Sequence, residues 1–189
     1  MLVLGLMAPE HQVLSPNFKN AVVVACRLGE FDWVAQLMHR KAAVLALPAN
    51  QSLYFFSEGI IAYHAGKMDR AASFFHRLMD GIEDIFYALD ARGYLLRIYY
   101  ETGNLIGLEA LIDSYRMYIK RQTSMTQARR QSHNEFIRYV RRLTHVDPHD
   151  HEAIEELHAE IQNSTKIPAT TWLLKKTEEL MKRRPPAER

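Results

Sequence analysis

Three glycines, Gly29, Gly66 and Gly103, recur along the chain at a constant interval of 37 residues. Apolar or small side chains stand two, five, eight and nine residues after each of them, which is the spacing of one helical face. A second stripe, four and seven residues before each glycine, ends at the glycine itself. Because glycine readily takes the left-handed conformation that closes a helix, each unit predicts a helix, a tight turn and a second helix.

The repeat predicts an all-α fold, since no strand-like alternation bounded by hairpin turns occurs in the sequence. Helix pairs cannot bury their apolar faces alone, so about three stacked pairs would form an α-solenoid. The period stops at Val140, where a fourth glycine would fall. Three closing helices are predicted over 126–145, from an N-cap at Asp147 with Pro148 in the first helical position, and over 168–184. The predicted organisation is therefore repeats over 1–125, capping helices over 126–184 and a loose tail at 185–189.

Composition fits one ordinary globular chain, with 48% hydrophobic and 24% charged residues among 189. No segment approaches the roughly 20 apolar residues of a membrane span. The single cysteine, Cys26, excludes an internal disulfide, and its apolar surroundings favour a buried thiol over a reactive one. These features favour a cytoplasmic protein without membrane contact.

The apolar N-terminus, MLVLGLM, lacks the basic flank and the cleavage site of a secretory signal. Extending the period backwards places another turn before Met1, so this segment matches the end of a second helix. Two interpretations stay open: the chain continues a longer repeat protein, or its apolar start covers the first helix pair. Self-association through this segment is a further hypothesis.

The middle unit resembles the tetratricopeptide repeat (TPR). Gly59, Gly66, Ala71 and Phe75 sit where that family places its two small or glycine positions, its alanine and its aromatic residue. The segments NFKNAVVVACRLGEFDW, DIFYALDARGYLLRIYYETG, NEFIRYVRR and TWLLKKTEEL are similar to the C-terminal region of bacterial TPR-like proteins of uncharacterised activity. The resemblance implies a helical-repeat protein that acts by binding other proteins.

The same resemblance implies a concave groove lined by the first helix of each pair. Basic and aromatic side chains at the family's groove positions would hold an acidic or C-terminal peptide segment. The alternative is that some of them pack against the C-terminal helices. The groove residues are Lys19, Arg27, Phe56, Tyr63, His64, Arg97 and Tyr100.

The positive charge is concentrated in residues 116–142, which carry 8 basic side chains and 1 acidic one. A nucleic-acid binder would need such a patch, and an acidic protein partner would also suit it. The third interpretation is a solvated or internally paired helix face. The candidate residues on this face are Arg130, Arg138, Arg141 and Arg142.

Motifs for catalysis are not evident in the sequence. Gly66 and Lys67 lack the upstream glycine and the following hydroxyl of a phosphate-binding loop, and no serine stands in a nucleophile elbow. His151, Glu155 and His158 have helical metal-ligand spacing, but an ordinary polar helix start explains them equally. We therefore expect a non-catalytic interaction module or scaffold without cofactor or metal, with nucleic-acid binding as the alternative function.

Overall fold

The computed structural model describes residues 16–79, 84–164 and 167–182, and this part of the chain contains ten α-helices, a single 3-10 turn and no strand. The predicted all-α class is confirmed. The α-helices are α1 (Pro16–Leu28), α2 (Phe31–Arg40), α3 (Ala42–Leu45), α4 (Gln51–His64), α5 (Met68–Met79), α6 (Ile85–Glu101), α7 (Leu105–Arg121), α8 (Gln127–His145), α9 (His151–Asn163) and α10 (Thr170–Met181), and the 3-10 turn is Pro48–Asn50.

All three repeated glycines close a helix in the left-handed conformation, with φ of 80°, 73° and 69° for Gly29, Gly66 and Gly103. Gly66 N–H donates to the Tyr63 carbonyl at 3.0 Å, and Lys67 N–H donates to the Ala62 carbonyl at 2.9 Å. The same pair of bonds recurs at the other two glycines. This pattern satisfies carbonyls that a helix end leaves open, so the three helix–turn–helix predictions are confirmed.

The chain divides into two compact units between Ile98 and Tyr99, within α6. In the first unit, α4 packs against both α1 and α5. Its core is apolar and aromatic, and includes Phe18, Val22, Val34, Phe56, Ile60, Phe75 and Leu95. Residue 125, the predicted end of the repeats, lies within the second unit, and the division into repeats and capping helices stays a prediction.

In the second unit, α7 packs on α8, and α10 packs on both α8 and α9. The predicted apolar face of α8 is buried, and the unit's core includes Leu108, Ile112, Tyr115, Phe136, Tyr139, Val140, Leu143, Ile154 and Leu173. Contacts between α7 and α8 explain why α7 groups with the C-terminal helices. The Tyr115 hydroxyl, for example, lies 2.8 Å from Nδ1 of His133.

Helix α9 begins later than the sequence predicts. Its N-cap is Asp150, whose carboxylate accepts the Ala153 N–H at 3.0 Å, and not Asp147. Asp147 instead accepts the His149 N–H at 2.9 Å in the preceding turn, so Pro148 lies before the helix and not in its first position. Both aspartates can cap a backbone amide, and local sequence does not decide between them. The apolar N-terminal segment and the tail at 185–189 lie outside the described residues.

Candidate functional site

Five aromatic side chains in the first unit form one packed group, which we call the aromatic cluster. Phe75 stacks on Tyr94 with ring centroids 5.0 Å apart and planes at 10°. Phe56 meets three of the other rings edge-on at centroid distances of 5.6–6.3 Å. The cluster comprises Phe56, Tyr63, Phe75, Tyr87 and Tyr94.

Lys19, a predicted groove residue, contacts two rings of this cluster. Its ammonium lies 4.6 Å from the ring centroid of Phe56 and 4.7 Å from that of Tyr87, and it is ion-paired with Asp90. Burial, with smaller contributions from the carboxylates of Asp84 and Asp90, raises the pKa of Tyr87 to about 12. The phenol therefore stays neutral at physiological pH, and its ring acts as a face for the lysine cation.

The other predicted groove residues have separate environments. Phe56 is only 1% exposed, so a peptide could not contact its ring, and its assignment as a groove residue is corrected to a core position. Arg27 is exposed near the C-terminus of α1, and the Arg97 guanidinium lies 4.0 Å from the ring centroid of Tyr94. In the second unit, Tyr100 meets Trp172 of α10 edge-on at 5.5 Å, as the packing alternative anticipated.

Two predicted groove residues, Tyr63 and His64, lie side by side at the end of α4, half-buried. Their rings meet edge-on at 5.3 Å, and Tyr63 also meets Tyr94 at 5.3 Å. These contacts are the ordinary packing of a helix end against α6.

The arginines of α8 contact carboxylates within the second unit. Arg142 donates to Glu160 at 2.6 Å, Arg138 lies 3.9 Å from the same carboxylate, and Arg141 lies 3.4 Å from Glu109. The hydrogen bond from Arg142, with the nearby charges of Arg142 and Arg138, holds the pKa of Glu160 below its ordinary value. Glu160 is thus ionised at neutral pH and offsets the positive charge of this face.

Arg130, the fourth of these arginines, closes the end of α7. Its guanidinium donates to the carbonyl of Ile119 at 2.8 Å, to that of Met125 at 3.2 Å and to that of Gln122. These carbonyls belong to a helix end and the turn after it, which otherwise need outside donors. Arg130 therefore acts as a C-terminal cap between α7 and α8.

A cleft of about 530 Å³ opens in the first unit between the end of α2, α3 and the first half of α4. We call it the α2–α4 cleft. Its walls are mostly apolar, and Glu58 is the one residue among those that line it that is charged at neutral pH. The lining residues are Met38, Ala42, Leu45, Ala46, Pro48, Gln51, Tyr54, Phe55 and Glu58.

The repeat itself explains why the cleft is open. Moving along the chain by the 37-residue period brings Met38 to Phe75 and Ser57 to Tyr94. Phe75 and Tyr94 stack and fill the space between α5 and α6. One repeat earlier, Met38 stands at the position of Phe75 and lines the cleft, whereas Ser57, at the position of Tyr94, is fully buried. A methionine side chain therefore replaces a phenylalanine ring beside the opening.

Two neighbouring positions of α4 are also more exposed than the equivalent positions one period later. The period relates Tyr54 to Ala91 and Glu58 to Leu95, both of which are fully buried. Tyr54 is 37% exposed, and the side chain of Glu58 keeps 18% of its surface exposed. Positions that form a closed apolar contact in one repeat therefore form an accessible, partly polar wall of the cleft in the previous repeat.

Two arginines of α5 lie beside this cleft. Arg70 pairs with Glu58 at 2.9 Å, and the Arg77 guanidinium lies 4.3 Å from the ring centroid of Phe55. Phe74, between them on the helix, lies 6.4 Å from Phe55 and 5.6 Å from the Arg70 guanidinium. Sequence reasoning did not find this site, although Met38, in place of the aromatic residue of the next repeat, was a visible departure from the repeat.

The histidine-rich start of α9 makes contacts typical of packing. His158 Nδ1 lies 2.7 Å from the hydroxyl of buried Thr177 in α10. Among the described residues, no three His, Cys, Asp or Glu side chains come together in a way that could hold a metal ion. Within the same residues, every helix is too short or too polar to cross a bilayer.

Comparison of the chain with protein-family models, with curated proteins and with solved structures gave no match. The α2–α4 cleft, the aromatic cluster and the paired arginines of α8 are therefore interpreted from their own geometry.

Proposed function

We propose that this chain is a protein-interaction module, built as a solenoid of TPR-like helix pairs, that binds a peptide segment or helix of another protein. The observation that carries the proposal is the α2–α4 cleft, an opening in a repeat interface that the next repeat fills. An apolar cavity of a few hundred Å³ with few polar groups is a common form of binding site. The proposed role involves no catalysis.

The dimensions of the cleft suit side-chain anchors of a partner. A volume of about 530 Å³ has room for two or three large apolar side chains. Peptide helices commonly place such anchors three or four residues apart on one face. Tyr54 and Phe55 supply aromatic walls of the kind that contribute strongly to binding. The cleft therefore favours a helical segment with a few apolar anchors.

A variant in which a larger side chain fills the α2–α4 cleft tests this proposal. Peptides are first selected from a random phage-displayed library on the purified chain, and their affinities are then measured with variants by fluorescence anisotropy. Ala42→Trp places an indole in the cleft and is expected to weaken binding at least about ten-fold. Ala43→Trp is the matched control, because Ala43 is an exposed neighbour that does not line the cleft. Circular dichroism and urea unfolding verify that both variants fold.

Two results would contradict the proposal that the α2–α4 cleft is the binding site. Equal loss of affinity in Ala42→Trp and Ala43→Trp would place the binding surface elsewhere. A loss confined to Arg27→Glu with Arg97→Glu would return the site to the concave groove predicted from the resemblance. The nucleic-acid alternative has no comparable support, since Arg138, Arg141 and Arg142 contact internal carboxylates.

A further inference from the structure

The charges around the α2–α4 cleft indicate what kind of partner it would accept. Glu58, the one charged lining residue, is neutralised by Arg70. Arg77 lies over the Phe55 ring, and in the described part of the chain no carboxylate pairs with it. Counted over the described residues, the cleft therefore has an apolar floor and a rim with one positive charge in excess.

The spacing of the two rim arginines is helical. Arg70 and Arg77 are seven residues apart on α5, which is two helical turns or about 10 Å along the axis. The Phe74 ring lies between them and faces Phe55 of the cleft. Acidic groups on a partner would match this rim if they stood about two turns apart on either side of its apolar anchors.

Arg70 can accept a second carboxylate although it already pairs with Glu58. A guanidinium has five N–H donors, and the described contact with Glu58 uses one of its nitrogens. The Arg70 side chain is 58% exposed, so much of it faces solvent. Exposed ion pairs of this type are weak and rearrange at little cost.

From these observations we infer that the partner of the α2–α4 cleft is an acidic amphipathic helix. Two apolar residues adjacent in sequence enter the cleft, and the carboxylates one turn before and one turn after this pair, about two turns apart, bind Arg70 and Arg77. Charge complementarity favours this occupant over a basic helix. The two-turn separation of the arginines favours it over a fatty acid, which carries a single carboxylate. The inference rests on the proposed function of the same cleft.

The test uses synthetic helical peptides of about 14 residues on an alanine and glutamine background. The acidic peptide carries two adjacent leucines with a glutamate three residues before the first and three residues after the second, so that the glutamates are seven residues apart. The basic peptide carries lysines in place of both glutamates. Fluorescence anisotropy at low salt is expected to give about ten-fold tighter binding of the acidic peptide to the wild-type chain. The preference should shrink as salt is added.

Charge reversal identifies the arginines responsible. Arg70→Glu with Arg77→Glu is expected to invert the preference, so that the basic peptide binds more tightly. The matched control is Arg116→Glu with Lys120→Glu on α7, which reverses the same number of exposed charges at positions that do not line the cleft and should leave the preference unchanged. Unfolding curves confirm that both double variants are folded.

The outcomes separate the inference from the proposed function. If both peptides bind equally well and Ala42→Trp weakens both, the cleft is a binding site but the acidic partner is wrong. If neither peptide's affinity responds to Ala42→Trp, the proposed function of the cleft fails as well. If dodecanoate displaces a bound dye from the cleft while both peptides fail to bind, the occupant is a fatty acid, and the inference is overturned.

Discussion

The contact between α5 and α6 is sealed by stacked rings, whereas the equivalent position between α2 and α4 is an open cleft. Both lie in the first unit, and the 37-residue period relates them residue by residue. Phe75 and Tyr94 fill one, while Met38, at the position equivalent to Phe75, lines the open cleft. The same helical pattern can therefore hold a closed internal contact at one position and an accessible cleft one period earlier, where a methionine replaces the Phe75 ring.

Removal of the Phe75 ring is expected to give the largest effect. Phe75 is 0% exposed and contacts Phe56 and Tyr94, so Phe75→Ala should lower the free energy of unfolding by about 3–5 kcal/mol. Met38→Ala, at the equivalent position beside open space, should cost about 1 kcal/mol or less. Urea unfolding measures both. Similar losses in the two variants would mean that the cleft is as tightly packed as the aromatic cluster.

Gly59 tests how closely α4 and α5 approach beside this ring. A Cβ at Gly59 would lie 2.8 Å from two atoms of the Phe75 side chain, so Gly59→Ala must displace the ring or the helix. Overpacking of this kind costs about 1–3 kcal/mol, partly offset by about 1 kcal/mol from the better helix propensity of alanine. We expect a net loss of about 0–2 kcal/mol in thermal or urea unfolding.

A second substitution verifies the cause of that loss. In a Phe75→Leu background the ring is absent, and Gly59→Ala should then cost much less than in the wild-type chain. Equal costs in both backgrounds would show that Gly59 is needed for another reason. The comparison is a double-mutant cycle, which isolates the interaction between the two positions.

The turns between paired helices were predictable because a single residue type carries the signal. Each of Gly29, Gly66 and Gly103 adopts the positive φ that the period indicates. Similarly, the apolar spacing in 126–145 predicted the buried face of α8. Such features depend on sequence neighbours, so one sequence is enough to find them.

The cleft and the environments of the predicted groove residues depend on contacts between residues far apart in the sequence. They could not be predicted from the spacing of neighbouring residues. Periodicity shows which face of a helix is buried, but it does not show whether two facing side chains fill the gap between them. Asp90 lies 71 residues from Lys19, and no local pattern links the two. The seven groove positions were therefore chosen by resemblance, and Phe56 among them is a core residue.

Replacement of a turn glycine by alanine should lower the free energy of unfolding by the same amount in the first and the second repeat. At Gly66 a Cβ would have no described atom within 4 Å, so Gly66→Ala introduces backbone strain without a clash. A left-handed alanine costs about 1 kcal/mol, and Gly29→Ala should cost the same because its φ and its surroundings are alike. Urea unfolding of both variants measures this. A difference above about 1 kcal/mol would show that the two turns are not equivalent.

Glu58→Gln should have the smallest effect on stability and the most specific effect on binding. Its partner, Arg70, is largely exposed, and such ion pairs contribute about 0–1 kcal/mol, so unfolding should change by less than about 0.5 kcal/mol. Glutamine keeps the shape of the wall but no longer neutralises Arg70, so the acidic peptide should bind about three-fold more tightly. Glu178→Gln on α10, an exposed position in the second unit, should change neither quantity. Weaker binding of the acidic peptide to Glu58→Gln would mean that Glu58 contacts the partner directly and that the cleft selects for positive charge.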